Sequence, residues 1–314
     1  WDLFLMCFSS THRAGHQLWD RTSLLGSPSD NELEEFDDAL RQVYIATDRA
    51  VGKMLERIDD RTSVLVFSLH GMGKNTSRTV ITNKILSRVL AGQSADEKQF
   101  ADSFASRLRK LIPLKLRSYV KSRLPLSLQD KLTIFWRVRG IKWAETRAFA
   151  LFGDLDAYVQ INLRGREAEG IVEPGTEYRD LCEYIAAGFK SFADAQTGES
   201  VVDSVEFSYQ SFPVGRNRGK LPDIIIHWAQ SSAANHQKII SPEFGSIDWP
   251  TPGRHPQGRS GDHARRGFLI ANGFQTADTS DGDSIIDLAP TVYDLLNVEA
   301  PSDFHGKSLA SSQS

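Results

Sequence analysis

Four of the eight histidines in this 314-residue sequence have the spacing and surroundings of metal ligands. His12 and His16 stand in SSTHRAGH, His70 in VLVFSLHGMG and His263 in RSGDHARRGF, each at a strand end or in a glycine-containing loop. Neutral imidazole is a common ligand of zinc and related ions, so the pattern indicates a metalloenzyme. A histidine pair four residues apart is also common on surfaces and at helix caps. Asp262 is interpreted either as an acceptor that orients a ligand histidine or as a turn former.

Cationic and amide side chains elsewhere in the sequence are candidates for binding an anionic ester. Arg164 and Arg166 carry the planar guanidinium group that suits phosphate or sulfate. Lys74 and Asn75 follow directly after the glycines of GMGK and could contact the same oxygens. The alternatives are a solvated strand edge for the two arginines and ordinary turn chemistry for Lys74 and Asn75.

Strand-like and helix-like segments alternate along the chain. The apolar runs 1–8 and 63–67 are typical of strands buried on both faces, and the second ends just before His70. This alternation predicts an α/β fold with a mostly parallel sheet sandwiched by helices, in which ligands bind at the carboxyl ends of the strands. Further strands are predicted at 149–153, 157–163, 201–207, 223–228 and 267–273, helices at 31–58 (N-cap Ser29 or Asp30), 178–195 and 285–298, and a long loop at 230–265.

A basic stretch interrupts this alternation. Residues 107–142 contain eleven lysines or arginines and one acid, Asp130, with leucines between the charges. This pattern predicts short amphipathic helices, and we expect an inserted helical cap at 88–142 between core segments 1–87 and 143–314. The basic face is either solvated, or attracts an anionic substrate, or lies on an anionic membrane surface. No nucleic-acid-binding motif accompanies it.

Composition excludes several classes of protein. Hydrophobic residues make up 40% and charged residues 25% of the chain, with a formal net charge of −3, which are ordinary globular values. The two cysteines, Cys7 and Cys182, argue against a disulfide-built fold. The sequence has no apolar run of about 18 residues and no secretory signal, which slightly favours the cytoplasm. The sequence opens at Trp1 within a strand-like run, so its N-terminus does not define the compartment.

Several motifs, in this order, resemble the alkaline phosphatase superfamily, particularly its type I phosphodiesterase/nucleotide pyrophosphatase and sulfatase-like branches. HRAGH is similar to the Asp-x-x-Gly-His ligand motif, with His12 in the Asp position, and FSLHGMG is similar to Ser-Asp-His-Gly-Met, with Leu69 in the Asp position. The most specific match is DLAPTVYDLLNVEAPSDFHGKSL at 287–309, which resembles the Asp-x-Ala-Pro-Thr helix and the ending that follows it. GDH at 261–263 resembles the late histidine motif, and INLRGREAEGIV at 161–172 resembles a strand of the phosphodiesterase branch.

The resemblance implies a centre in which two metal ions bind a phosphate or sulfate ester. His12, His16 and His263 would hold one ion, and His70 would belong to the other. Three imidazoles with an open fourth position favour Zn²⁺, with Mn²⁺ and Ca²⁺ as alternatives. The nucleophile of the superfamily and its first Asp ligand would lie upstream of Trp1.

The expected function is therefore metal-dependent hydrolysis of phosphate mono- or diesters or of sulfate esters, with an anionic ester as substrate. The aliphatic side chain of Leu69 cannot bind a metal, and no nucleophile is found in the chain. Two alternatives therefore stay open. One is a catalytically degenerate binding or scaffold module. The other is a transferase that moves a phosphoryl-type group onto a lipid or sugar acceptor.

Overall fold

A computed structural model describes residues 1–21, 24, 28–92, 142–255, 258–276 and 284–311. The chain divides into two compact units. Unit 1 comprises Trp1–Asn75 and Gln257–Ser314, and unit 2 comprises Thr76–Pro256. The predicted cap at 88–142 lies outside the described residues except for 88–92 and Lys142, so the expected division into 1–87, 88–142 and 143–314 stays a prediction.

Six helices and eleven strands are found in the described residues. The helices are α1 (Ser10–Gln17), α2 (Asp30–Leu55), α3 (Thr82–Ala91), α4 (Thr176–Lys190), α5 (Ser208–Ser211) and α6 (Leu288–Leu295). The strands are β1 (Val64–Ser68), β2 (Gly71–Lys74), β3 (Ala148–Ala150), β4 (Ala157–Ile161), β5 (Ala193–Asp194), β6 (Val202–Phe207), β7 (Ile224–Trp228), β8 (Lys238–Ser241), β9 (Gly245–Asp248), β10 (Gly261–Ala264) and β11 (Phe268–Asn272).

Unit 1 contains two small antiparallel sheets. Strand β1 pairs with β11, and β2 pairs with β10. Helix α1 contacts α2, β2 and β10. Helix α2 begins at a capping box in which the Ser29 side chain accepts from the Glu32 backbone and the Glu32 side chain accepts from the Ser29 backbone. The predicted N-cap Ser29 is thus confirmed.

Unit 2 contains the apolar core. Its sheets are antiparallel, one with the order β3-β4-β7-β6 and one with the order β5-β8-β9. The clustered core residues all lie between Ile81 and Trp249. Helices α3 and α4 pack closely at Gly188, where an added Cβ would lie 2.5 Å from Val89 Cγ2. Glycine at this position therefore allows the two helices to approach each other.

The described strands do not confirm a mostly parallel sheet, although the mixed α/β class holds. Each pairing between named strands is antiparallel. In β7 buried residues alternate with half-buried ones, so one face of this apolar strand is more exposed than the other. Antiparallel sheets commonly leave one face exposed in this way, whereas strands of parallel sheets are buried on both faces. An apolar run alone does not specify the direction of the neighbouring strand.

Two further local predictions are wrong. Residues 1–8 form no regular secondary structure and are largely exposed, so the predicted buried strand is absent there. The predicted long loop at 230–265 contains β8, β9 and β10. These strands have only four residues each, and the surrounding Gly, Pro and Ser residues concealed their pattern. The other strands and helices that were predicted within the described residues are present with shifted ends, and the amphipathic helices predicted in 107–142 lie outside the described residues except for Lys142. None of the described helices is long and apolar enough to cross a membrane.

Candidate metal centre

The four histidines singled out in the sequence meet in unit 1. The His12 ring centroid lies 4.7 Å from that of His16, 5.4 Å from that of His70 and 5.1 Å from that of His263. The His263 ring centroid lies 4.9 Å from that of His16 and 3.9 Å from that of His70. His12 and His263 are 251 positions apart in the sequence, and all four rings nevertheless form one cluster.

Two groups of three residues in this cluster have the spacing of a metal site. His12, His70 and His263 form the first group, and His16, Asp262 and His263 form the second. Within each group the ligand atoms, one per residue, lie within 4.8 Å of one another. Three imidazole nitrogens, or two with a carboxylate oxygen, are donor sets that zinc accepts in proteins. His70 thus lies beside His12 and His263, where the sequence had suggested a separate second site.

Helix α1 and the β2–β10 ladder position these side chains. His12 and His16 are four residues apart in α1, so they lie on the same helical face. His263 lies opposite Met72 in the ladder, and His70 directly precedes β2. An added Cβ at Gly261 would lie 2.0 Å from the Gly15 carbonyl oxygen. Glycine at this position therefore lets α1 pack directly against β10.

Backbone carbonyls fix the tautomer of two of the rings. His16 Nδ1 lies 2.9 Å from the Gly261 carbonyl oxygen, and His70 Nδ1 lies 2.9 Å from that of Gly71. A carbonyl oxygen only accepts, so each Nδ1 carries the proton and each Nε2 keeps its lone pair in the neutral ring. Hydrogen bonds of this kind are typical of metal-binding histidines, because they fix the tautomer and the ring orientation.

The charge environment of His12 favours the form that binds metals. Burial lowers the pKa of His12, the neighbouring His16 and His70 lower it further, and the charge of Asp262 opposes this shift. A lowered pKa keeps the imidazole neutral, and only the neutral imidazole has a free lone pair for a metal.

Asp262 is buried within β10, so its interpretation as a turn former is wrong. Its Oδ1 accepts from the backbone N–H of His263 at 2.9 Å and lies 4.0 Å from His16 Nδ1. The carboxylate is therefore placed either to influence the two histidines electrostatically or to contribute an oxygen ligand.

A family model described as type I phosphodiesterase / nucleotide pyrophosphatase matches residues 1–187 of the 314-residue chain. The chain belongs to this family. The expected membership of the alkaline phosphatase superfamily is thus confirmed. The type I phosphodiesterase family hydrolyses phosphodiester or pyrophosphate bonds. No curated protein and no solved structure matches the chain.

Three of the four clustered histidines fall within the residues matched to this phosphodiesterase family, and His263 falls outside them. Leu69 precedes His70 between β1 and β2, and its side chain is 54% exposed. An exposed leucine contributes little to packing. The packing in the described structure therefore does not explain why Leu69 stands in place of the Asp of the superfamily motif.

The predicted substrate-binding residues lie in different surroundings. Lys74 is an exposed residue at the end of β2. Asn75 is buried, and its backbone N–H and its side-chain amide donate to the carbonyls of Ser260 and Arg259, both at 2.9 Å. Asn75 thus holds the chain that leads into β10. Its predicted contact with substrate, like that of Lys74, stays a prediction.

The two predicted substrate-binding arginines lie in unit 2 and are ion-paired there. Arg164 pairs with Glu173. Arg166 donates to both carboxylate oxygens of Asp223, at 2.8 and 2.7 Å. Burial disfavours the charged form of Arg166, but hydrogen bonds and charge from Asp223 and Glu167 outweigh it and raise its pKa. These contacts hold both arginines within unit 2, and their predicted contact with substrate stays a prediction.

Sequence reasoning missed a buried polar network in unit 2. Arg78 is fully buried, and its Nε donates to His236 Nε2 at 3.0 Å. His236 Nδ1 in turn lies 2.6 Å from Asp194 Oδ2. Burial lowers the pKa of Arg78 to about 10, although the charge of Asp194 opposes this shift. No sequence signal joins these residues, because they come from three distant segments of the chain.

Proposed function

We propose that this protein is a metal-dependent hydrolase of phosphodiester bonds whose divalent ion is bound by the histidine cluster of unit 1. A single observation carries this proposal: four imidazoles from three separate segments meet in a chain of the phosphodiesterase family. An isolated histidine often has a structural role. Packing of apolar surface does not explain why four imidazole rings lie this close together.

The donor set fits a divalent ion of the zinc type. The rings of His16 and His70 donate Nδ1–H to backbone carbonyls, and burial lowers the pKa of a third ring, that of His12. Three nitrogen ligands leave one position for substrate or water, as in catalytic zinc sites. Zn²⁺ is the preferred candidate, and Mn²⁺ and Ca²⁺ are alternatives. When bound, such an ion stabilises negative charge on a phosphoryl oxygen as a Lewis acid.

The residues of the chain then have distinct tasks. His12, His70 and His263 form the group of ligands, and His16 with Asp262 adjoins it. The carbonyls of Gly71 and Gly261 hold the rings of His70 and His16 in place. Lys74 lies opposite Gly261 in the β2–β10 ladder, two positions from His263 along β10. Its exposed ammonium group would attract the anionic ester through its positive charge.

The proposal is tested by measuring metal content and hydrolysis of bis(p-nitrophenyl) phosphate together. The His263→Ala variant is expected to lose bound metal and more than about 100-fold of the activity, since even loss of an outer-shell partner typically costs 10–100-fold. His305→Ala is the matched control, because His305 is exposed and belongs to neither group of ligands. Full metal content and full activity in His263→Ala would overturn the proposal.

Sulfate esters are the second substrate class to be tested. Hydrolysis of p-nitrophenyl sulfate by the metal-loaded protein, compared with hydrolysis of the phosphodiester, measures the preference between the two classes. We expect the phosphodiester to be preferred, because the chain belongs to the phosphodiesterase family. A faster reaction with the sulfate ester would contradict this expectation.

One observation favours a different function, a binding or scaffold module that lacks catalysis. Leu69 stands where the superfamily motif has a metal-binding Asp, and it is exposed next to His70. A chain that binds no transition metal, and whose melting temperature does not rise on addition of Zn²⁺ or Mn²⁺, would support this alternative. Binding of a ligand to the folded state alone must raise that temperature.

A further inference from the structure

Unit 2 contains a half-open cavity of about 550 Å³ beside the N-terminus of α4, lined by residues between 163 and 223, several of which are exposed. This volume falls in the range of small-molecule sites and is far larger than a single inorganic anion needs. Leu163, Leu221 and Pro213 supply apolar walls. The ring of Tyr209 also lines the cavity, next to the ring of Tyr178 at a centroid distance of 6.0 Å.

The charge of the cavity wall is positive. Three arginines (Arg166, Arg179 and Arg218) and one carboxylate (Asp223) line it. Asp223 is saturated, since it accepts from Arg166 through both oxygens, from the Tyr178 hydroxyl and from the backbone N–H of Ile161. The Arg166–Asp223 pair is therefore neutral as a whole and forms part of the wall, with no acceptor left for a ligand.

Arg179 and Arg218 carry the remaining charge. In the part of the chain that the structure describes, neither has a carboxylate within ion-pair distance. Arg218 Nη1 donates to the Pro213 carbonyl at 3.0 Å, which fixes the loop. The other N–H groups of this guanidinium are available to a ligand. Guanidinium groups that line a cavity suit a phosphate, because each can donate two parallel hydrogen bonds to its oxygens.

The start of α4 adds donors of the same kind. Gly175 is the N-cap of this 15-residue helix, and no side chain caps the first turn. Its φ of 101° is a conformation that favours glycine. Gly175 also lines the cavity, so the N-terminus of α4 borders the same cavity as the two arginines.

We propose that this cavity binds a small organic phosphate of about nucleotide size, with the phosphate on Arg179 and Arg218 and the organic part against Tyr209 and the apolar wall. The site is distinct from the histidine cluster in its residues and does not require a metal. It is also independent of the proposed hydrolase function, which can fail without affecting it.

Adenosine 5′-monophosphate is the probe, titrated by calorimetry into the full chain in the presence of EDTA. The expected result is saturable binding that weakens about tenfold or more in Arg179→Ala and in Arg218→Ala, the loss typical of a charge-assisted hydrogen bond. Arg216→Ala is the control, since Arg216 is exposed in the same loop and does not line the cavity. Equal affinity in all three variants would overturn the proposal.

Two simpler probes separate the parts of the ligand. Inorganic phosphate and adenosine should each bind at least about tenfold more weakly than the nucleotide, because each reaches one half of the cavity. Tyr209→Ala should weaken nucleotide binding and leave phosphate binding unchanged, with its melting temperature measured to verify folding. Adenosine binding as tightly as the nucleotide, or no saturable binding of the nucleotide at all, would refute the assignment.

Discussion

Unit 1 and unit 2 differ in how many apolar side chains they bury in the described residues. The apolar core belongs to unit 2, where Ile85, Ile185 and Phe189 are fully buried. In unit 1 many large apolar side chains are exposed, such as Trp1 at 81% and Ile270 at 61%. The buried side chains of unit 1 in the described residues are mostly polar and include His16, Asn75, Ser260, Asp262, Asp287 and Thr291.

This contrast places the main source of stability in unit 2 and the proposed metal site in unit 1. Burial of apolar surface is the dominant favourable term in folding, so unit 2 supplies most of the folding free energy of the described residues. Polar groups can be buried only when hydrogen bonds compensate for the loss of water. The polar interior of unit 1 therefore contributes less to stability, and it includes residues of the proposed metal site.

Truncation of a core side chain in unit 2 should give the largest effect on stability. Phe189→Ala removes a fully buried ring that lies 6.3 Å from the Trp228 ring, and we expect a loss of about 3–5 kcal/mol in the free energy of unfolding. Phe268→Ala in unit 1 is the matched control. Phe268 is 54% exposed, so its truncation should cost about 0.5 kcal/mol. Urea denaturation measures both, and equal losses would remove the contrast.

The second prediction concerns the close contact between α1 and β10. Gly261→Ala places a Cβ against the backbone of Gly15, which cannot move without shifting α1, so we expect Zn²⁺ affinity to fall about 10–100-fold. Gly15→Ala is the comparison, because its Cβ would meet only the flexible end of Met72, at 2.8 Å from Cε. Its effect should be clearly smaller. Competition with a fluorescent zinc chelator measures both affinities, and the reverse order would contradict this geometry.

The smallest effect is the pH dependence of the Arg78–His236–Asp194 network in unit 2. Burial lowers the pKa of His236, and the charge of Arg78 adds to this. The stabilisation by neutral His236 is therefore complete above its unfolded pKa of about 6.5 and is lost as the pH falls toward its lower folded value. His236→Asn should lose less stability between pH 7 and pH 5 than the parent protein in urea denaturation with EDTA. Equal losses would show that His236 does not contribute.

The elements that were predicted correctly are those whose structure is determined by residues close together in the sequence. Helix α2 follows from the spacing of its apolar residues and from Ser29 at its start. The direction of strand pairing is different, because β4 and β7 are paired across more than 60 residues of chain and an apolar run does not specify its partner. Residues 1–8 show the same limit, since their composition alone suggested a buried strand.

The candidate site was predicted as a set of residues but not as an arrangement. The order of the motifs placed His12, His16 and His263 together, and the structure brings their rings close. The grouping of His70 with His12 and His263 depends on the β2–β10 ladder and is not visible in the motifs. Arg166 was assigned to substrate because its guanidinium suits phosphate or sulfate. Its pairing with Asp223, 57 residues away, is not visible in the sequence, and its contact with substrate stays a prediction.

The pairing of β2 with β10 has a consequence for biosynthesis. Residues 71–74 and 261–264 must both be available before this ladder can form. During translation, the N-terminal histidines therefore leave the ribosome well before His263 does. The proposed metal site can therefore form only after residues 261–264 have been synthesised, so binding of an ion by His12, His70 and His263 together would follow the synthesis of β10.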